Sequence, residues 1–222
     1  MSQPLSDWAE AALGHRPRDA HLFARALTHS SHAGQSYERL EFLGDRVLGL
    51  VMAEWLFALF PEEPEGKLSR RFNALVSGET CAAVARRIGA PGQIRLGKQA
   101  RDDGASDSDY VLGDVVEALI GALFLEGGIE AARGFIRRAW GDRVESQGTA
   151  PKHPKSALQE YAAEKNWRPP VYSLVGRSGP HHAPRFTVAV EIPGRAAAEA
   201  QGASKQEAET LAARALMEKL DG

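Results

Sequence analysis

Apolar residues in the first two thirds of the chain return every three or four positions, the spacing that lines one face of an α-helix. Leu40, Leu43, Val47, Leu48 and Val51 predict a helix from about Tyr37 to Phe60 that stops before Pro61. Shorter helices are expected over Ser6 to Leu13, closed by Gly14, and over Asp19 to Thr28, with Leu22, Phe23, Ala26 and Leu27 facing inward. A turn-rich run from Pro61 to Gly66 precedes helices over Lys67 to Val76 and Glu79 to Ile88. The polar stretch from Arg95 to Asp109 is expected to be a mobile loop. Tyr110 to Phe124 is mostly apolar, as a central core helix should be, and Gly127-Gly128 separates it from a last helix over Ile129 to Val144.

Beyond a Gly- and Pro-rich stretch the pattern becomes mixed. A helix over Lys155 to Asn166 is followed by three short strands, Val171 to Val175, Arg185 to Ile192 and Ala196 to Ala200, and a closing helix over Ser204 to Leu220. Phe186, Val188 and Val190 alternate with Thr187, Ala189 and Glu191, as a half-buried strand requires. Ser204 and Glu207 have capping-box spacing, and Gly202 and Lys205 around that helix start make it a seat for phosphate. The division expected is therefore a helical domain over 1–147, a linker over 148–154 and an α+β domain over 155–222.

With 222 residues, 43% of them hydrophobic, the chain is long enough for one large domain or two modest ones. A net charge of −2 would ordinarily argue against a nucleic-acid partner. The distribution changes that: residues 151–222 carry ten Lys plus Arg against eight Asp plus Glu, so the rear is weakly basic (+2) and the front acidic (−4). Cys81 is the single cysteine, which excludes an intrachain disulfide; in its helical context it reads as a small core residue and is compatible with the cytoplasm. No export signal is read at the start, and the longest apolar stretch, Val47 to Phe60, is too short to span a membrane and carries Glu54.

The candidate chemistry lies in the carboxylates. Glu38, Glu41 and Asp45 fall at i, i+3 and i+7, one stripe of one helix, where like charges cost a few tenths of a kcal/mol per pair, about 0.2–0.5. Asp114 and Glu117 sit at i, i+3 inside the apolar helix, and an unpaired buried carboxylate is costly. Gly113, Ala118, Gly121 and Ala122 would let a second helix approach closely. If that helix is the acidic one, the acids converge with few cations among them and demand a hard divalent ion such as Mg²⁺, Mn²⁺ or Ca²⁺. The alternative, two helices whose acids face solvent independently, stays open. For His29 and His32 a packing or hydrogen-bonding role is favoured over metal binding, and Glu65 on spacing alone is a loop acid.

The run Glu-Arg-Leu-Glu-Phe-Leu-Gly-Asp at 38–45 resembles the signature of bacterial ribonuclease III, and Gly-Asp-Val-Val-Glu-Ala-Leu-Ile-Gly-Ala at 113–122 resembles that family's second acidic segment. The tail has the helix, three strands, helix order of a double-stranded-RNA-binding domain. The resemblance spans nearly the whole chain and implies an all-α endonuclease domain followed by a small α-β-β-β-α domain. It further implies a cytoplasmic homodimer that hydrolyses double-stranded RNA with Mg²⁺, for which Mn²⁺ can substitute, leaving 5′-phosphate and 3′-hydroxyl ends in rRNA and mRNA processing.

By the same resemblance Glu41, Asp45, Asp114 and Glu117 are the metal ligands, with Asp45 and Glu117 the most catalytically critical. Glu38 and Glu65 match positions that engage substrate or support the site, and Phe42 the aromatic that plugs into the other subunit. Gln159, Glu160, His182 and Lys205 match RNA contacts, in a module that reads A-form shape over about 16 bp. Three departures weaken RNA affinity on this reading: Lys205 is followed by Gln206, Glu207 and Glu209; the segment before the second acidic helix is acidic (Asp107, Asp109) instead of basic; and Phe72 replaces a frequent arginine. A double-stranded-RNA-binding protein on a retired nuclease fold is the main competitor, opposed by the four intact acids. A di-iron carboxylate protein would need Glu-x-x-His pairs, which neither Glu41 nor Glu117 has.

Overall fold

The computed structural model describes residues 5–148, 150–179 and 184–221, which divide into two compact units at Pro151/Lys152. The first unit is helical: α1 (Leu5–Leu13), α2 (Ala20–Ala26), α3 (Glu38–Leu59), α4 (Glu65–Leu75), α5 (Gly78–Arg87), α6 (Lys98–Asp102) and α7 (Asp109–Glu145). Local chemistry sets the ends. Asp19 caps α2 by accepting from His21 N (2.9 Å) and Leu22 N (3.4 Å), and Ser77 Oγ caps α5 by accepting from Thr80 N (3.2 Å). Pro61 stops α3 one residue after its C-cap, Phe60. α7 is interrupted at Gly128, whose φ of 69° is a left-handed value natural to glycine, so Gly127-Gly128 does separate two helical halves.

Leu48, Val51, Met52 and Leu56 of α3 and Leu112, Val115, Val116, Leu119, Ile120 and Leu123 of α7 are fully buried together and form the centre of the core. At about 1.5–3 kcal/mol for each large apolar side chain removed from water, the α3–α7 contact is the main adhesive of this unit. Trp140, also buried, donates Nε1–H to the Leu75 carbonyl at 2.7 Å and so ties the second half of α7 to α4. The expected mobile loop over 95–109 is instead ordered. It contains α6 and a 3₁₀ turn at Ala105–Asp107; Arg86 grips it by donating to Asp107 Oδ1 and O (both 2.8 Å) and pairing with Asp109 (2.7 Å).

In the second unit, α8 (Pro154–Glu164) precedes β1 (Val171–Ser178), β2 (Arg185–Ile192) and β3 (Ala196–Gly202), an antiparallel sheet in the order β1-β2-β3, and α9 (Lys205–Asp221) closes it. β1 runs three residues beyond the expected Val175, because a bulge between Leu174 and Gly176 resets its register against β2. Leu158 and Ala162 of α8, Val190 and Ile192 of β2, and Ala212, Ala213 and Leu216 of α9 make the core, with the Val188/Val190 parity turned inward as the alternation requires. At the start of α9, Ser204 Oγ accepts from Glu207 N (3.1 Å), while the Glu207 carboxylate returns to Ala203 N (2.6 Å), one residue before the position an ideal capping box uses.

Candidate active site

α3 and α7 cross at two glycines with nothing between their backbones. A Cβ on Gly44 would stand 2.5 Å from the Glu117 carbonyl carbon and 2.8 Å from Gly121 N; one on Gly121 would stand 3.1 Å from the Leu40 carbonyl carbon and 3.3 Å from Gly44 N. Glycine at both positions is therefore what allows main chain to rest on main chain. Leu40, Val47 and Leu48 turn from this crossing into the core, and Glu41 and Asp45, on the adjoining stripe of α3, remain half-buried beside Asp114 and Glu117 of α7.

These acids lie within one another's fields. Burial, and then the charges of Asp45, Glu41 and Asp114, push the Glu117 carboxyl up to about 8, with Arg46 only partly opposing. The Glu41 carboxyl is raised first by burial and then by Asp114 and Asp45. Asp114 is raised by burial and by Glu38, against the hydrogen bond that Tyr37 Oη donates to its Oδ2 at 3.1 Å. The Asp45 carboxylate pairs with the adjacent Arg46, whose guanidinium lies over the Phe42 ring, 4.5 Å from its centroid. Behind the acids, the buried Cys81 thiol is driven up by burial and by Glu117 and Asp45, so it stays protonated and unreactive.

Among the described residues no three His, Cys, Asp or Glu side chains form a ready-made chelate. The donor set nevertheless fits a hard divalent cation. It is all oxygen and partly desolvated, and burial among like charges raises the Glu117, Glu41 and Asp114 carboxyls, a cost that a cation would relieve.

The remaining expected residues fall elsewhere. Glu38 is exposed, accepts from Ser36 Oγ at 2.6 Å, and reaches the group only through its field on Asp114 and Glu41. Glu65 opens α4, exposed, and accepts from Ser69 Oγ at 2.6 Å. Phe42 is 62% exposed and flanks a groove lined also by Arg25, Arg39, Leu43 and Leu125. His29 shares a hydrogen bond with Ser31 Oγ (2.8 Å) and packs edge-on against Tyr37, and His32 bonds to the Ala33 carbonyl, the local roles favoured for them. Sequence reasoning missed Tyr37, although an aromatic at an N-cap position that usually holds Ser, Thr, Asp or Asn was a visible irregularity.

In the second unit Gln159 and Glu160 are exposed on α8, with Glu160 paired to Lys152. Lys205 is exposed at the first turn of α9, 4.0 Å from Glu209 Oε1, and Lys155 Nζ bonds Glu209 Oε2 at 2.5 Å. Both lysines are thus drawn toward one carboxylate. His182 lies outside the described residues.

Two family models match the chain: Ribonuclease-III-like over residues 19–142 and Double-stranded RNA binding motif over 154–220. Ribonuclease 3 of Zymomonas mobilis subsp. mobilis is 64% identical over 211 residues, covering 95% of this chain and 86% of the relative. Ribonuclease 3 of Dinoroseobacter shibae is 48% identical over 224 residues, covering 100% and 97%. Among solved structures, the nuclease domain of ribonuclease III from Campylobacter jejuni, described for flexibility in a region involved in its dimer formation, matches at TM-score 0.60 and 36% identity, covering 61% of this chain and 96% of that one. No helix among the described residues is long and apolar enough to cross a membrane. With an acid-lined helical unit ahead of a three-stranded RNA-binding unit, the chain belongs to the ribonuclease III family of metal-dependent, double-stranded-RNA endonucleases.

Proposed function

We propose that this chain hydrolyses double-stranded RNA with Glu41, Asp45, Asp114 and Glu117 holding Mg²⁺, for which Mn²⁺ can substitute, and leaves 5′-phosphate and 3′-hydroxyl ends. The glycine-on-glycine crossing of α3 and α7 carries this reading, because it brings two acids from each helix into one electrostatic group with Arg46 as its near cation. Left to themselves these carboxylates repel a phosphodiester, so substrate entry and cation uptake are coupled. A cation held there would supply a lowered pKa for an attacking water and positive charge against the phosphate in the transition state. Asp45 and Glu117 are the acids on which the rate depends most. Glu38, exposed beside them, and Glu65 supply substrate or site support.

Gln159, Glu160 and Lys205, with His182, are the RNA contacts of the second unit, which is joined to the nuclease unit by a linker over 148–154. The exposed Phe42 is the contact by which two copies pair, an aromatic left open to solvent in a nuclease unit similar to a Campylobacter jejuni domain described as forming a dimer. The buried free thiol of Cys81 suits action in the reducing cytoplasm. Incubation of the purified chain with long double-stranded RNA tests the proposal: cleavage in Mg²⁺, none in EDTA, and loss of cleavage with retained gel shift in Glu117→Gln. Retained binding with uncut RNA in Mg²⁺ would instead identify a non-cleaving binder.

A further inference from the structure

We propose that Tyr37 is a positioning residue of the acidic site: its hydroxyl holds the Asp114 carboxylate in one orientation, while its main chain starts the helix that carries Glu41 and Asp45. The proposal rests on Asp114 being a cation ligand, as proposed above. Tyr37 occupies the N-cap position of α3 but caps nothing with its side chain. Its carbonyl accepts from Leu40 N (2.8 Å) and Glu41 N (2.9 Å), and its hydroxyl instead crosses to α7 and donates to Asp114 Oδ2 at 3.1 Å. One residue therefore fixes the start of one acid-bearing helix and the side chain of an acid on the other.

The ring has little freedom to do otherwise. It is 3% exposed and lies edge-on to His29, with centroids 5.7 Å apart and planes at 62°. Its own N–H donates to Thr28 O (2.9 Å), and the Thr28 segment is held in turn by Arg95 N to Leu27 O (2.8 Å) and His29 N to Arg95 O (3.0 Å). A phenol has one proton to donate, so it engages Oδ2 and leaves Oδ1 to other partners. Outer hydrogen bonds of this kind orient ligating carboxylates, and their removal costs roughly ten- to a hundredfold in metal affinity or activity. A buried tyrosine merely finding a partner for its hydroxyl would predict no such effect.

Tyr37→Phe, which keeps the ring and deletes the hydroxyl, separates the two. Mn²⁺ binding to the full chain without RNA is measured by calorimetry, and cleavage is titrated with Mg²⁺, for wild type, Tyr37→Phe and Asp114→Asn. Positioning predicts that Tyr37→Phe weakens Mn²⁺ binding about ten- to a hundredfold and raises the Mg²⁺ concentration for half-maximal cleavage to match, with the rate recovering at saturating metal. Unchanged metal affinity in Tyr37→Phe, while Asp114→Asn loses it, overturns the role of Tyr37 alone. Wild-type metal affinity in Asp114→Asn overturns the ligand assignment beneath it. A lower rate at every metal concentration with unchanged Mn²⁺ affinity also counts against positioning.

Discussion

Gly44→Ala adds one methyl group at the place where the two acid-bearing helices touch. The new Cβ would stand 2.5 Å from the Glu117 carbonyl carbon, whereas carbon atoms in contact settle at about 3.5–4.0 Å, so the backbones must part by about 1 Å or more. Neither neighbour is a side chain that can swing aside. Overpacking of this kind typically costs about 1–3 kcal/mol, and the upper part of that range is expected here because main chain must move. The displacement acts directly between Glu41 and Asp45 on one side and Asp114 and Glu117 on the other. At about a hundredfold per ångström of misplacement, cleavage should fall at least that far. Gly121→Ala meets its nearest carbonyl carbon at 3.1 Å and should be the milder change. Gly49→Ala, on the same helix, meets only the Phe72 ring, Cζ at 3.5 Å and Cε2 at 3.9 Å, and should be neutral or stabilising, by up to about 1 kcal/mol of helix propensity. Thermal melts, Mg²⁺-dependent cleavage of long double-stranded RNA, and gel shifts of the three variants are the assays. Gel shifts should survive in all three, because the second unit has its own core. Wild-type melting and cleavage in Gly44→Ala would refute the idea that this crossing assembles the site.

Three further outcomes follow from particular side chains. Because the Glu117 carboxyl is raised to about 8 from its ordinary range, the folded metal-free protein holds a proton that the unfolded chain releases near pH 4.5; its stability should therefore decline as pH rises from about 4.5 toward 8. Melts in EDTA should show a shallower decline for Glu117→Gln than for wild type, and parallel profiles would count against the buried-acid reading. Phe42→Glu places a charge on the exposed aromatic beside the Arg25, Arg39 and Leu125 groove and should convert the proposed dimer to monomer in sedimentation, with a melting temperature within a few degrees of wild type. Glu209→Gln frees Lys205 and Lys155 from their shared carboxylate and should tighten RNA binding severalfold, with a steeper salt dependence; unchanged affinity would show that neither lysine reaches phosphate.

Much of this molecule is legible in its sequence. The run from Leu40 to Val51 could be nothing but a helix with one buried face, and the alternation of Phe186, Val188 and Val190 named a strand and its inward side, because both periodicities are geometric consequences of the backbone. The stop at Pro61 is equally local, since it acts on the residue just before it. The loop over 95–109 reads as mobile because its composition is polar, yet it contains a short helix and a 3₁₀ turn, and Arg86, distant in sequence, pairs with its Asp107 and Asp109. Local composition carries no record of such a partner.

The same distinction applies to the site. Spacing placed Glu38, Glu41 and Asp45 on one stripe and Asp114 and Glu117 on another, but it left open whether the stripes met. The close approach of Gly44 to Gly121 decides that, and it decides as well that Glu117 is desolvated among like charges. Tyr37 was the residue hardest to see, since its hydroxyl joins positions 77 residues apart. A periodic pattern reports which way a side chain points from its own helix; which atoms it then meets depends on how two helices pack, and that is a property of the folded chain as a whole.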